Sequence, residues 1–415
     1  MKNIVEHLKS IFGFFNKGMS EPVPFRMIFT RFRQVLDSHN RAVEVIADMG
    51  DKLGGDYLFD INYIKKAYSE LSGAVYSSMQ NFDVLTKNKY LKLHDVFERI
   101  DNQIKRVIYD VPASIELVIF YDNITWNMSS DVGGKNSNLA EVKNYLKLNV
   151  PEGFAITTRA FDEFIKHNRL EGRIESLGEG AIEEYILNEL QHLIINAEMP
   201  PELNVAIDSA IESLKSIGSF SNSGGTRKGD KVPLACSVRS SAVEEDSEFS
   251  FAGQFETILN VPLEGRAVKD AYKRVVASLF SPKAAAYQRA TGHDIGKAKM
   301  AVGCLLMVDA AVSGVVYSTN PNRDDNTMII NSTWGLGKSV VEGQTDADLY
   351  LVKKGVNPEI LDRRIGEKGY MLTNQNGGGI NTAKIPNDLI KKSSLTEEQV
   401  LELSIQAILI EKHFR

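Results

Sequence analysis

Apolar residues recur every three or four positions through the N-terminal part of the chain. Ile28, Phe32, Val35, Val43, Ile46, Met49 and Leu53 keep this beat until Gly54-Gly55 stops it, a spacing that predicts a one-faced helix. A second run follows at Ile61, Ile64, Tyr68, Leu71, Val75, Met79 and Phe82, and a third at Leu93, Phe97, Ile100, Ile104 and Ile108, after a polar turn around Lys87-Asn88. Three such helices with short connections predict a small antiparallel bundle over residues 1–115. It holds no polar constellation that would mark a site. Its expected role is structural or in oligomerisation, with ligand sensing as the alternative.

From about residue 115 the pattern changes. ELVIFYD reads as a strand, Asn138 to Leu148 as a helix, Pro151 to Ile156 as a turn and strand, 158–168 as a helix, and 181–217 as helical again. Ser216 to Lys231 is rich in Ser, Gly and Lys and reads as an exposed loop. Leu234, Cys236 and Val238 begin a short buried strand, and a second strand ends at Ile258, Leu259 and Val261. A helix from Ala267 to Leu279, extending toward Tyr287, precedes strands at Ala301–Val308, Gly314–Ser318, Met328–Asn331, Leu349–Lys353 and near Tyr370–Thr373. A helix over Glu397–His413 closes the pattern. A helical bundle followed by a mixed body predicts an α+β architecture.

Composition narrows this only modestly. A chain of 415 residues predicts two or three domains, and 43% hydrophobic with 25% charged residues allows an ordinary core. The net charge of −6 speaks against a nucleic-acid partner. Cys236 and Cys304 lie in apolar runs and read as buried reduced thiols. The opening MKNIVEHLKSIFGFFNK is amphipathic with internal charges, unlike a signal peptide. No run approaches the roughly 18 apolar residues of a spanning helix. A cytoplasmic protein without a membrane partner is expected.

Candidate chemistry concentrates in the segment Ser237 to Val261, SVRSSAVEEDSEFSFAGQFETILNV. A strand here delivers Arg239 into a Ser- and Gly-rich turn, and a guanidinium fork with close backbone amides suits phosphate. Glu244, Glu245 and Asp246 could bind Mg²⁺ or form a solvated acidic loop. Gly133-Gly134-Lys135 precedes a helix, so backbone amides, a helix N-terminus and an ammonium converge. Trp334-Gly335-Leu336-Gly337-Lys338-Ser339 invites a P-loop reading that fails, because Ser332 stands where the first glycine belongs. What remains is a glycine turn with Trp334 as a packing anchor. Gly377-Gly378-Gly379 opens no helix and reads as a flexible turn. The seven histidines are scattered and suggest no catalytic pairing.

Taken together these segments resemble the N-terminal nucleotide-binding domain of the phosphoenolpyruvate synthase (pyruvate, water dikinase) family, a domain shared with pyruvate, phosphate dikinase and rifampin phosphotransferase. Six signatures stand in the family's order: GGKNSNLAEV, VPEGFAITTRAF, SVRSSAVEEDSEFSFAGQFETILNV, AVGCLLMV, SGVVYSTNP and WGLGKSVVEGQTDADLY. The resemblance runs from about Asn123 to the C-terminus and leaves the helical part outside. It implies an ATP-grasp-like fold that holds ATP and Mg²⁺ between two lobes, residues 116–235 and 236–415. By position, Lys135 and Arg239 are implied as the catalytic contacts to the ATP phosphates, with Ser240 beside them. Gly253, Gln254 and Thr257 fall at the phosphate-covering loop, and Met307 and Val308 at the hinge that meets adenine.

The implied activity passes a phosphoryl group from ATP to a histidine on a separate swivelling domain, then to pyruvate or another acceptor. Three departures bear on this. Leu305-Leu306 replace the usual polar pair before the hinge, and Lys338 replaces the usual Glu after Gly-Leu-Gly. Relatives also continue beyond the position of Arg415 with Asp-Ile-Glu and Gln-x-Arg segments that supply Mg²⁺ and phosphate ligands. The metal ligands, the phosphohistidine domain and the acceptor domain are thus expected in a longer protein or a partner subunit, and a homo-oligomer is expected through the helical bundle. The alternatives are a catalytically degenerate nucleotide-sensing scaffold, or the same domain serving an antibiotic or phenol acceptor.

Overall fold

The computed structural model describes residues 25–54, 61–109, 116–178, 183–221, 234–242, 255–290, 294–321, 326–343 and 345–414. The chain divides into two compact units, residues 1–112 and 113–414. In the first unit α1 (Phe25–Gly54), α2 (Ile61–Thr86) and α3 (Lys92–Tyr109) form where the periodicity places them. Arg31 Nη1 donates to Asn81 Oδ1 (2.8 Å), Arg41 pairs with Glu70, and the Tyr63 hydroxyl donates to Asp48 (2.6 Å), so α1 and α2 run antiparallel. Lys87 and Asn88 adopt left-handed backbone and end α2, with the Asn88 N–H returning to the Asp83 carbonyl (2.8 Å). Asp101 ties α3 back to α2 by accepting from Tyr68 Oη (2.7 Å) and Ser72 Oγ (2.8 Å). The α1 run proves to be two stripes. Ile28, Val35 and Met49 are half-buried beside buried Ala42 and Val45, whereas Phe32, Val43, Ile46 and Leu53 are exposed.

The second unit is built on two antiparallel sheets. The first has the order β1-β2-β5-β3-β4, from β1 (Val118–Phe120), β2 (Gly153–Ile156), β3 (Ala235–Ala242), β4 (Thr257–Pro262) and β5 (Met300–Leu306). Strand alternation divides its side chains between two cores. Phe154, Ile156, Cys236, Val238, Val302 and Cys304 face one way, into a large cluster with Phe164, Leu190, Ile211, Tyr272 and Val276. Fully burying one such side chain contributes about 1.5–3 kcal/mol. Ile119, Ala155 and Leu305 face the other way and pack with Tyr121, Val132 and Ala140. The helical stretch 181–217 resolves into Glu184–Asn196 and Pro201–Ser221, broken at Pro200-Pro201. The helix beginning near Ala267 likewise ends at Ser278, and a new one starts at Pro282 with Ser281 Oγ accepting from the Ala284 N–H (3.2 Å).

The second sheet has the order β6-β7-β8-β9, from β6 (Val312–Tyr317), β7 (Thr327–Trp334), β8 (Asp348–Lys353) and β9 (Glu359–Arg364). Met328, Ile330, Tyr350 and Val352 pack against Val400 and Ala407 of the C-terminal helix, Glu397–Phe414. A separate hairpin joins β10 (Tyr370–Asn374) and β11 (Ile380–Lys384). β9 and β11 escape the sequence pattern because their residues are mostly exposed and charged or polar.

A lobe division at 235/236 would cut through the first sheet, because Cys304 of β5 lies opposite both Phe154 of β2 and Val238 of β3. The chain leaves the first sheet for the second only at residues 307–311, between β5 and β6.

Candidate functional site

Along β3 the neighbours of Arg239 are buried or half-buried, and Arg239 is the strand's one exposed residue. It lies in register with Thr257 of β4 on one side and Gly303 of β5 on the other. Thr257 is also exposed. A row Gly303–Arg239–Thr257 therefore crosses three strands on one face of the sheet, with steps of about 4.8 Å. Ser240 points to the opposite face and is buried, so only its backbone belongs to the Arg239 side.

The lysine turn docks on this same face. Gly133 ends a short helix (Ser129–Val132) and caps the helix Gly134–Asn144, at φ +75° and ψ 156°. A Cβ on Gly133 would sit 2.1 Å from the Ser241 carbonyl oxygen, so glycine alone permits the approach to β3. The Asn136 N–H donates to Ser241 Oγ (3.2 Å). Its side chain is held twice, Oδ1 accepting from the Tyr121 hydroxyl (2.6 Å) and Nδ2 donating to the Val132 carbonyl (2.7 Å). Gly303 leaves the space these groups fill, since a Cβ there would meet Asn136 Oδ1 at 2.3 Å and the Tyr121 hydroxyl at 2.8 Å. Burial first, and Cys304 second, push the Tyr121 hydroxyl's pKa up, against the opposing pull of Arg239. The hydroxyl stays protonated and donates. Lys135, half-buried, is thus the residue before the anchor of its helix on the sheet.

Met307 remains tied to the first sheet, its N–H donating to the Ala235 carbonyl (2.9 Å). Val308 is 56% exposed and is the first residue beyond that tie. Leu305 lies in the core shared with Tyr121, which explains an apolar residue there, while Leu306 packs at the edge of the larger core. Lys338 begins a short helix and faces Glu342 at 3.7 Å. Trp334 is an anchor, donating from Nε1 to the Leu389 carbonyl (3.2 Å). Gly253, Gln254, Glu244, Glu245 and Asp246 lie outside the described residues. Among the described residues no group of three or more His, Cys, Asp or Glu gathers to hold a metal ion, and none of the helices is long and apolar enough to cross a membrane. Cys236 and Cys304 are free and buried.

Sequence reasoning passed over Asn136, Ser241, Tyr121 and Gly303. Asn136, Ser241 and Gly303 sit inside motifs already singled out. Tyr121 lies outside them, and only strand register shows what it and Gly303 do.

The family described as pyruvate phosphate dikinase, AMP/ATP-binding domain, matches residues 129–415. The chain belongs to this family. It is 35% identical over 324 residues to the phosphoenolpyruvate synthase of Escherichia coli K12, covering 73% of this chain and 39% of that protein. A probable phosphoenolpyruvate synthase of Methanocaldococcus jannaschii is 33% identical over 72% of this chain and 25% of its own length. The enzyme of Neisseria meningitidis serogroup B is 30% identical, with 72% and 38% covered. The chain thus spans well under half of these relatives. It carries the nucleotide-binding domain of a dikinase enzyme family, and the helical unit precedes the matched residues.

Proposed function

We propose that this chain is the ATP-binding portion of a dikinase-type phosphotransferase of the phosphoenolpyruvate synthase kind. The observation that carries the reading is the docking of the Gly133–Lys135 turn on Ser241, two residues from Arg239 on the same sheet face. A lysine at a helix start, an exposed arginine and a threonine beside it suit a polyphosphate. The 307–311 crossing lies at the far end of the same strand pair, since Ala235 holds Met307 while Arg239 faces Gly303. Four residues of strand span about 13 Å, comparable with an extended nucleoside triphosphate. Adenine at Met307–Val308 and terminal phosphates at Lys135 and Arg239 would then lie between two sheets in an ATP-grasp-like manner, with Mg²⁺ neutralising phosphate charge.

Phosphoryl transfer depends mainly on positioning and charge neutralisation. In this reading Lys135 and Arg239 hold the transferring end, and Thr257 stands beside it. The phosphoryl group goes to a histidine of a separate domain and on to pyruvate or another acceptor. The helical unit serves association between copies of the chain. Calorimetric titration with Mg–ATP tests the site. Lys135→Ala and Arg239→Ala are each expected to weaken binding by about tenfold or more, the scale of one charge-assisted contact. Equal binding by all three proteins would overturn the assignment.

A further inference from the structure

The triple glycine 377–379 is not a free turn. All three residues have positive φ, 86°, 115° and 78°, and the tip they form is seated on β4. The Gly379 N–H donates to the Asn260 carbonyl (2.9 Å), and Asn260 Nδ2 donates to the carbonyls of Gln375 (2.8 Å) and Gly379 (2.6 Å). Gly378 lies so close to Pro262 that a Cβ would come within 3.0 Å of its ring. Asn260 is itself unusual, 6% exposed and left-handed at φ +53°. It sits where Leu259 and Asn260 oppose the single residue Ser237, between the pairs Cys236–Val261 and Val238–Ile258. Such a bulge re-aims a side chain, and here it turns an amide toward the hairpin.

The base of the hairpin is held by the second sheet's end. The Leu336 N–H donates to the Leu372 carbonyl (2.8 Å), and Gly335 bridges Leu372. The hairpin therefore runs from the turn after β7 to the edge strand of the first sheet. It links the two sheets independently of residues 307–311. A third tie is His413 Nε2 to Glu141 Oε1 (2.9 Å), on the lysine helix.

We propose that Asn260 is a positioning residue for the nucleotide. Its amide clasps the 375–379 tip and so fixes the second sheet relative to the face that carries Arg239 and Thr257. The proposal rests on the reading of that face as the ATP site. The chemistry of the clasp makes it separable from backbone strain. Asn260→Gly keeps the left-handed backbone and removes the amide. Asn260→Asp also tolerates that backbone but sets a carboxylate against two carbonyl oxygens.

The test uses the full chain with spin labels at Lys166→Cys and Val356→Cys, both exposed positions, one on each side of the 307–311 crossing. Distance distributions by pulsed electron paramagnetic resonance and Mg–ATP affinity by calorimetry are measured with native Asn260, Asn260→Gly, Asn260→Asp and Gly378→Ala. The native clasp is expected to give one narrow distribution. Asn260→Asp and Gly378→Ala should broaden it and weaken Mg–ATP by about fivefold or more, with Asn260→Gly between, as expected for one or two lost hydrogen bonds. Far-ultraviolet circular dichroism confirms that each variant is folded. An unchanged distribution in Asn260→Asp and Gly378→Ala overturns the clasp, and a broadened one with unchanged affinity overturns its positioning role. If the labelled parent binds no Mg–ATP, the ATP reading fails while the distances still decide the clasp.

Discussion

Single atoms decide whether the lysine helix can reach the sheet. Gly303 is the position where β5 yields space, and its would-be Cβ meets two side chains that are buried and bonded to each other. Neither can rotate away without losing that bond. Gly303→Ala is therefore expected to cost about 1–3 kcal/mol in urea denaturation and to weaken Mg–ATP binding, whereas Asn138→Ala, exposed on the same helix, should change neither. Normal stability and affinity in Gly303→Ala would show that the helix is not seated as described. Tyr272 presents the opposite case, a fully buried hydroxyl without a hydrogen-bond partner among the described residues, its ring edge-on to Phe164. Deleting an unpartnered buried hydroxyl removes a cost, so Tyr272→Phe should be neutral or stabilising by up to about 1 kcal/mol. A clear loss of stability would reveal a partner such as a buried water. Burial also pushes the Cys236 thiol up to about 12, and burial first, with Cys236 second, raises Cys304 well above the ordinary thiol value. Neither should react with a thiol reagent until the chain is denatured.

At the scale of elements, two carboxylates act as hubs. Asp348, at the start of β8, and Lys368, just before β10, form an ion pair with neither side chain exposed. Asp348 also accepts from the Gly366 N–H (3.0 Å), the Ser394 N–H (2.7 Å) and Ser394 Oγ (2.6 Å), while among the described residues the Lys368 ammonium has only the Gly366 carbonyl (3.1 Å) besides. Removing the carboxylate strands a buried ammonium. Asp348→Ala is accordingly expected to cost about 3–5 kcal/mol, and Lys368→Met less, because its partner keeps three donors. A reversed order in urea denaturation would refute this. In the helical unit Asp101 is held below its ordinary 3.8 by Lys105, then by the Tyr68 and Ser72 hydroxyls, against burial. A depressed carboxyl stabilises the fold above its unfolded value, and the contribution is lost as pH falls through the lower folded value. Hydrogen exchange over residues 61–109 should show wild type losing its advantage over Asp101→Asn on acidification below about pH 4; a constant difference would exclude the linkage. These helices and the strongly apolar strands were legible because their signal is local. β9 was not, since an exposed edge strand such as EILDRR carries charges rather than alternation.

For the whole molecule, legibility ends where partners are distant in sequence. Lys135 and Arg239 could be named from motifs that read one after another, but the sheet on which Gly133 and Asn136 meet Ser241 has β5 inserted between β2 and β3. Nothing local encodes that order. Asn260 shows the limit most plainly, because its partners lie 115 and 119 residues away. The helical unit poses the remaining whole-chain question. On α1, Phe25, Phe29, Phe32, Leu36, Val43, Ile46 and Leu53 are all exposed. With His39 and Gly50 they step by four and three along the full helix, the spacing of a coiled-coil seam. Ala42 and Val45 already supply the buried stripe, so this second stripe has no occupant among the described residues of its own unit. Long exposed apolar stripes mark association surfaces, and a seam of this period suits another helix of the same kind. The chain is expected to elute as a homo-oligomer in size-exclusion chromatography with light scattering. Leu36→Glu combined with Val43→Glu should return it to a monomer without loss of helicity. A wild-type monomer at every concentration would give the stripe to another occupant, residues 1–24 of the same chain being the nearest in sequence.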